Sequence, residues 1–416
     1  MAAVGRPCAV LADRRWRGMA RRPADPTLSD LIASHVAGRA LPQGFYVDPE
    51  VFRRDMALLE AGWTCLGHLG DLTQPGDWLV GGFGREEAIV VRGEDGVVRA
   101  LANVCRHRGS RICVEARGSA TMFVCPYHAW SYRLDGTLRA AREMPADFDV
   151  AAHGLKALPC QVIGGLVFVS FSEAPRDLAA AATALLTMTE TYGWASAKVA
   201  ARRSYQVAAN WKLALENYHE CYHCGPAHPE FSQLHTLARP KARSVRDRAQ
   251  SRADRAAGVA VPDYEAWAGE ADGREGARVM RSPLSDKVRT GSRDGALLAP
   301  PMGPDDGACV FAELGYLSAF LAYADHGVIY RFIPRRGLFT EMEVQWLVDG
   351  QAREGEDYDV AALTWLWDVT SLADKRIIER NQAGVLSRFY EPGPFSLMEP
   401  GARQYVDRYL ADLAAQ

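Results

Sequence analysis

Two short segments place soft donors in a repeating order: Cys105-Arg106-His107 and Cys125-Pro126-Tyr127-His128, with 17 residues between them. Each pair sits at the tip of a β-rich run, so two thiolates and two imidazoles can converge on one point. Thiolates are natural ligands of iron–sulfur clusters, and two imidazoles on one iron leave that centre less negative and easier to reduce. Zinc accepts the same donors, but a zinc finger pairs cysteine with cysteine and histidine with histidine. Here each loop supplies one of each, as a binuclear cluster with cysteines on one iron and histidines on the other requires. Cys113, between the loops, has no partner at ligand spacing and reads as a packed thiol.

A second set lies between Asn210 and Pro229, where Glu220, Cys221, Tyr222, His223, Cys224 and His228 follow one another closely. This segment begins as a helix that Gly225-Pro226 is expected to stop. Glu220 and His223, three apart, share a helical face, and His228 can fold back toward them from beyond the break. Iron(II) that binds dioxygen commonly takes two imidazoles and one carboxylate, leaving other positions open. His223 and His228 supply the imidazoles.

The carboxylate has to come from elsewhere, and the helical pattern from Leu363 to Gln382 offers one. Leu363, Trp367, Thr370, Asp374, Ile377, Ile378 and Asn381 form its mainly apolar stripe, and Gly384 is expected to end the helix. A carboxylate buried on such a face needs a cation, a metal or a dense set of hydrogen bonds. A structural salt bridge therefore competes with metal ligation at Asp374. His219 is four residues before His223 but reads as a surface or supporting residue. Cys221 and Cys224 form a CxxC without a second pair, which argues against zinc or thioredoxin-like chemistry. His35, His68, His153, His235 and His326 have no ligand-like companions.

These donors need two kinds of scaffold. From Trp63 to about Phe171 the chain reads as short strands broken by Gly and Asp: Trp78 to Gly81, Glu87 to Arg92, Val97 to Val104, Met122 to Cys125, Ala129 to Leu134 and Leu166 to Phe171. They predict a small antiparallel β domain. Helices are expected before it, at Leu28 to Val36 and Val51 to Ala61, and an alanine-rich helix follows Ser172 to Arg176. Val328 to Phe332 reads as a buried strand, and Met342, Val344 and Trp346 alternate with polar residues as a strand with one buried face. Between Pro240 and Gly303 the Arg-, Asp-, Ala- and Gly-rich sequence predicts a long, partly mobile excursion. The expected division is a tail and first helix at 1–43, a cluster domain at 44–174 and a catalytic domain at 175–416.

With 416 residues the chain can build two cores. Apolar residues at 48% and charged residues at 24% are those of a soluble globular protein, and no apolar run reaches membrane-spanning length. A formal charge of -3 gives no general attraction for nucleic acid. The nine scattered cysteines fit a reducing compartment, the cytoplasm, better than a disulfide framework. Residues 1–26 read as a basic, disordered tail, with a transit peptide as the minor alternative.

Asn103-Val-Cys-Arg-His-Arg-Gly and Cys125-Pro-Tyr-His-Ala-Trp130 resemble the Rieske cluster domain. Joined to the His223/His228/Asp374 pattern, they make the chain similar to Rieske non-haem iron oxygenase α subunits from about Gly44 to Leu413. The resemblance implies an α+β fold, with a β-rich Rieske 2Fe-2S domain followed by a helix-grip catalytic domain. It implies that Cys105, His107, Cys125 and His128 hold the 2Fe-2S cluster and that His223, His228 and Asp374 hold a mononuclear iron(II). It also implies a homotrimer in which an acidic residue, here Glu220, bridges the two centres across a subunit interface.

Most of the family carries aspartate at that bridge. Glutamate in Glu-Cys-Tyr-His-Cys resembles the branch acting on quaternary ammonium compounds such as glycine betaine, carnitine and proline betaine. Ala102 to Arg111, Met144 to Asp149, Asn381 to Gly384 and Tyr390 to Pro394 resemble the glycine betaine type further. The implied reaction is O2-dependent hydroxylation of an N-methyl group, releasing formaldehyde; aromatic-ring hydroxylation is the alternative. The chain has no dinucleotide fingerprint, so NAD(P)H electrons are expected through a separate flavin and iron–sulfur reductase. Phe311, Tyr316, Phe320, Tyr323, Tyr330 and Trp346 are candidate rings for a cation pocket.

Overall fold

A computed structural model of the chain describes residues 26–235, 237 and 273–415. The basic tail up to residue 25 and the part of the expected excursion at 240–272 lie outside the described residues. Three helices come first: α1 (Leu28–Ser34), α2 (Gln43–Val47) and α3 (Pro49–Ala61). Pro49 opens α3, where its missing N–H costs nothing, and Asp48 caps it by accepting from Glu50 N at 2.7 Å.

The β-rich unit contains β1 (Thr64–His68), β2 (Asp77–Phe83), β3 (Glu86–Arg92), β4 (Val98–Ala102), β5 (Arg117–Ser119), β6 (Phe123–Val124), β7 (Ser131–Tyr132), β8 (Leu138–Ala140), β9 (Ala157–Leu158), β10 (Cys160–Ile163) and β11 (Leu166–Val169). They form a five-stranded sheet in the order β5-β2-β3-β4-β9 and two three-stranded sheets, β6-β7-β8 and β1-β11-β10. Every recorded pairing is antiparallel, as the alternation of short runs and turns implied. The six expected runs all contain strands; β1, β5, β8, β9 and β10 are additional, and most are too short to show a period.

The second unit starts with α4 (Ala179–Thr191) and β12 (Lys198–Val207), followed by α5 (Trp211–Tyr218), α6 (Cys224–Ala227) and α7 (Pro229–Leu234). A meander of β13 (Ala277–Pro283), β14 (Ala308–Leu314), β15 (Ser318–Ala322), β16 (Gly327–Arg336) and β17 (Phe339–Val348) leads to α8 (Val360–Val385) and α9 (Pro400–Ala414). The six strands form one antiparallel sheet, β12-β17-β16-β15-β14-β13. The helices α5 and α8 pack on one face, while α4 packs its Ala181, Leu185 and Met188 against the other. The expected excursion at 240–303 is thus corrected in part, because β13 pairs fully with β14.

The packing also departs from the expected boundary at residue 44. Phe45, Tyr46, Val51, Leu58 and Leu59 lie in the same apolar cluster as Trp211, Val344, Tyr405 and Tyr409. The helices α2 and α3 therefore belong to the catalytic core, since their apolar faces find partners there.

One buried pair fixes this junction. Lys212 Nζ and Asp55 are both fully buried and hydrogen-bonded to each other. Asp55 also accepts from Trp211 Nε1 at 3.0 Å and Tyr409 OH at 2.6 Å. Burial pulls the Lys212 pKa down against the attraction of Asp55. One turn on, Glu216 accepts from Tyr46 OH at 2.8 Å, and burial lifts its carboxyl to about 7. These contacts seat α5, the helix that leads into the second donor set.

Candidate metal centres

The first donor set lies on two loops that repeat one backbone pattern. Cys105 N–H donates to Ser110 O at 2.8 Å and Gly109 N–H to Cys105 O at 3.0 Å. In the second loop Cys125 N–H donates to Trp130 O at 2.8 Å and Ala129 N–H to Cys125 O at 3.0 Å. The fifth residue of each loop takes a positive φ, 74° at Gly109 and 58° at Ala129. An alanine in that region costs roughly 1 kcal/mol or more, which the second loop bears to keep the same turn. Asn103 pins the first loop: its Oδ1 accepts from Ile112 N and Cys113 N, and its Nδ2 donates to Cys113 O.

These turns bury the Cys105 and Cys125 side chains and leave His107 and His128 exposed at the tip. The two imidazole centroids are 4.7 Å apart, and His107 stacks on Trp130 at 4.8 Å with 8° between the planes. Two sulfurs inside and two imidazoles outside suit a binuclear cluster with one buried and one outward iron. Cys113 lies in the same apolar group as Cys105 and Cys125, where burial pushes its thiol up to about 12.

The second set forms where α5 ends. Contrary to expectation, this helix stops at Tyr218, and Gly225-Pro226 lies inside the short α6. Glu220 explains the early break, because its carboxylate accepts from the backbone N–H of Tyr222 and of His223 and so competes with helical bonding. The same carboxylate hydrogen-bonds His223 Nδ1. His223 Nε2 then points to Asp374 Oδ1 at 3.2 Å, and His228 Nε2 lies 2.8 Å from the same oxygen. Ligand atoms of His223, His228 and Asp374 all lie within 4.8 Å of one another.

Charge at this point favours a cation. Burial opposes a charged His223, but hydrogen bonds to Asp374 and Glu220 outweigh it and raise the pKa to about 10. Burial likewise opposes the Asp374 anion, and the two histidines outweigh it and lower the pKa. A proton on His223 Nε2 thus stands where a divalent metal would meet Asp374, while Nδ1–H stays with Glu220. His228 Nδ1, also buried, has no hydrogen-bond partner among the described residues. Two neutral imidazoles and one carboxylate fit iron(II) with open positions.

Asp374 comes from α8, capped by Asp359 at its start and running through Gly384 to Val385. It is less enclosed than the stripe implied, with 19% of its side chain accessible. Asn381 faces solvent and Gln382 takes the inward place, where its Oε1 accepts from Asn210 N at 2.8 Å. His219 is not at the surface: it stacks on Tyr405 at 5.0 Å and lies 3.3 Å from Glu313. His68 and His326 are buried and hydrogen-bonded away from the site.

A wall of rings adjoins the three donors. Phe231 lies 6.5 Å from His228 and 5.3 Å from Trp367, which is 5.6 Å from Tyr330, itself 5.7 Å from Tyr218. Phe311 and Tyr323 each lie 6.0 Å from His235, which packs on Phe231. Of the candidate rings, Phe311, Tyr323 and Tyr330 join this wall. Tyr316 packs against Trp211, Phe320 against Phe168 and Trp194 across the sheet, and Trp346 lies in the core.

Sequence reasoning missed Tyr218, Phe231 and Trp367 as wall residues. It also missed Asn217, whose Nδ2 lies 3.3 Å from His223 Nε2. Helical spacing carried the signal: Phe231 follows His228 by three residues and Trp367 precedes Asp374 by seven.

Residues 62–159 match the Rieske [2Fe-2S] domain, and residues 194–415 match the ring hydroxylating alpha subunit catalytic domain. The chain is 36% identical over 402 residues to the glycine betaine monooxygenase oxygenase subunit of Pseudomonas aeruginosa strain UCBPP-PA14, covering 93% of this chain and 92% of the relative. It is 35% identical over 200 residues to the carnitine monooxygenase oxygenase subunit of Escherichia coli K12, covering 46% and 53%. The solved structure of the quaternary ammonium Rieske monooxygenase CntA with L-carnitine is similar in fold, with a TM-score of 0.67 at 23% identity, covering 94% of this chain and 99% of that one. Naphthalene 1,2-dioxygenase with bound indole superposes with a TM-score of 0.64 at 19% identity, covering 90% and 92%.

Proposed function

The chain belongs to the Rieske non-haem iron oxygenase α subunits, and on that premise we propose that it removes an N-methyl group oxidatively from a small betaine, glycine betaine or a close relative. As a member of this family it is an oxygenase with a Rieske cluster and a mononuclear iron, and it takes electrons from a separate reductase. We assign the cluster to Cys105, His107, Cys125 and His128, the iron to His223, His228 and Asp374, and the link between centres to Glu220.

The ring wall beside the iron donors carries the substrate class. A quaternary ammonium has no N–H to offer, so its recognition relies on aromatic faces, each contributing about 0.5 to 2 kcal/mol. Phe231 supplies such a face beside His228, and Trp367, Tyr330 and Tyr218 continue the wall from it ring to ring. The relatives named for glycine betaine and carnitine support the same class.

Bound iron supplies the activation of dioxygen. The overall hydroxylation consumes O2, two electrons and two protons, and yields water and an N-hydroxymethyl group. That group then breaks its C–N bond, nitrogen keeps the electron pair, the hydroxyl proton leaves to solvent, and formaldehyde departs. Glu220 accepts a hydrogen bond from His223 Nδ1–H, fixing that ring so that Nε2 faces the iron position. Asn217 Nδ2 stands beside the same Nε2 and would yield that contact to the metal.

We further propose a homotrimer in which the cluster tip of one subunit meets the Glu220 region of the next. Exposed Val104, Val124 and Tyr127 at the tip and Tyr222 beside Glu220 suit such a contact. We also propose a cytoplasmic setting, on the scattered spacing of the nine cysteines in the sequence. No helix among the described residues is long and apolar enough to cross a membrane.

Ring hydroxylation is the rival reading, since apolar arenes also pack against aromatic walls. The test is formaldehyde release from a panel of betaines with a competent reductase. Turnover of glycine betaine or a relative is expected; oxygen uptake with an arene and none with any betaine would overturn the proposal.

A further inference from the structure

Cys221 and Cys224 flank Tyr222 and His223 in the turn that leads into α6. Cys224 N–H donates to Cys221 O at 3.4 Å and closes that turn. Such a turn holds its first and fourth Cα atoms within about 7 Å, and a disulfide joins Cα atoms about 4.4 to 6.8 Å apart. The side chains meet as well, because the Cys224 thiol is hydrogen-bonded to Cys221. We propose that hydrogen peroxide oxidises these two thiols to a reversible disulfide, which shifts His223 and halts turnover. The second half of this statement rests on the proposed roles of His223 and Glu220.

The oxidant is close to the enzyme's own chemistry. Hydrogen peroxide is what O2 becomes after two electrons and two protons when no substrate is hydroxylated. Cys221 is half-buried and Cys224 buried, so peroxide meets Cys221 first. The Cys221 sulfur attacks one peroxide oxygen; an S–O bond forms, the O–O bond breaks, and the departing hydroxide leaves as water with the thiol proton. The Cys224 sulfur then attacks the sulfenic sulfur; the S–S bond forms, the S–O bond breaks, and a second water carries off the remaining proton. Two thiols thus lose two electrons and two protons, and one peroxide becomes two waters.

The other cysteines are placed differently. Burial pushes the thiols of Cys65 and Cys113 up to about 12 and that of Cys160 up to about 11, which keeps them protonated and slow to react. Cys309 Sγ donates to Ser282 O at 3.6 Å. The absence of a second CxxC argues against a four-thiolate zinc site, but a bridge within the pair requires no further cysteine.

The bridge acts through the turn that bears it. Bonded sulfurs stand closer than hydrogen-bonded thiols, so closing the bridge tightens the turn. Its Tyr222 and His223 N–H groups are both held by the Glu220 carboxylate, and its His223 ring directs Nε2 at Asp374 Oδ1, 3.2 Å away. A displacement of about 1 Å near a reacting centre lowers a rate about 100-fold. Disulfides at partly exposed positions are the readily reduced ones, so cellular thiols reopen the bridge once peroxide has gone. The pair is a brake on turnover without substrate, not a thioredoxin-like centre.

The experiment treats the full-length, metal-loaded protein with graded hydrogen peroxide, blocks free thiols by alkylation and maps the peptides by mass. The peptide holding Cys221 and Cys224 is expected to be lighter by two hydrogens and to resist alkylation until reduced. Oxygen uptake with a competent reductase and whichever substrate the betaine and arene panel identifies is expected to fall about 100-fold in parallel and to return with dithiothreitol. Cys221→Ser should keep its own rate through the same treatment; Cys221→Ala gives the same reading should the serine variant fail to fold. Free alkylation of both thiols at a dose that inactivates wild type overturns the inference. So does a bridged protein with undiminished uptake, or equal inactivation of the Cys221 variant. The mass reading needs no substrate, so its outcome is separate from that of the betaine proposal.

Discussion

Replacing Glu216 by glutamine tests how α5 is seated. In the folded chain this carboxyl is lifted from an ordinary 4.5 to about 7, chiefly by burial, against the lowering effects of Tyr46 and Lys212. An acid with a raised folded pKa favours the folded state below the unfolded pKa and loses that contribution as pH rises through the folded value. Here the window runs from about pH 4.5 to 7. Moving the carboxyl from 4.5 to about 7 amounts to about 3 kcal/mol. Glutamine can still accept from Tyr46 OH but cannot ionise. The stability of Glu216→Gln relative to wild type is therefore expected to rise from pH 5 to pH 8 and then level off. Taking the difference between the two proteins cancels groups that titrate in both. Paired thermal unfolding scans at one scan rate read that difference, and infrared spectra identify the group directly. Wild type should show a protonated-carboxyl C=O band that disappears near pH 7 and is missing from the variant. A pH-independent difference together with no such band would refute the reasoning.

Glu220→Gln should keep both metals yet slow electron transfer between the centres about 10- to 100-fold, the loss expected for one charge-assisted hydrogen bond; single-turnover kinetics at the wild-type rate would remove its role. His223→Ala should lose mononuclear iron and oxygenase activity while the cluster spectrum persists, as metal analysis and absorbance will show. Trp367→Leu should raise KM for a betaine about 2- to 30-fold, the range of one cation–π contact, with a smaller change for a neutral isostere of the substrate. Equal losses for the charged and neutral compounds would assign Trp367 to packing alone.

The two donor sets were legible in sequence for different reasons. Cys105, His107, Cys125 and His128 lie on local turns, so spacing alone reports their convergence. Asp374 is 146 residues from His228, and only the helical stripe of α8 pointed to it. The stripe misled at its end, because the Gln382 bond to Asn210 N pulled that residue inward in place of Asn381. The break after Tyr218 was hidden since Glu220 makes it with its side chain, while Gly225-Pro226 drew attention as the stronger local signal. Membership of α2 and α3 in the catalytic core was also out of reach, for it depends on Trp211 and Tyr409 far along the chain. Phe231 and Trp367 needed the tertiary meeting of α7 and α8.

The long sequence separations have a consequence for biosynthesis. The cluster donors span residues 105–128, and the sheets around them close by Val169, so the site can form early on a growing chain. The proposed iron donors must wait for Asp374 to emerge. Asp55, too, stays without Tyr409 until α9 has been made, although Lys212 arrives long before. On the proposed assignments, synthesis from the N-terminus orders maturation: cluster delivery can begin on the nascent chain, and mononuclear iron enters only after Asp374 has been released to fold.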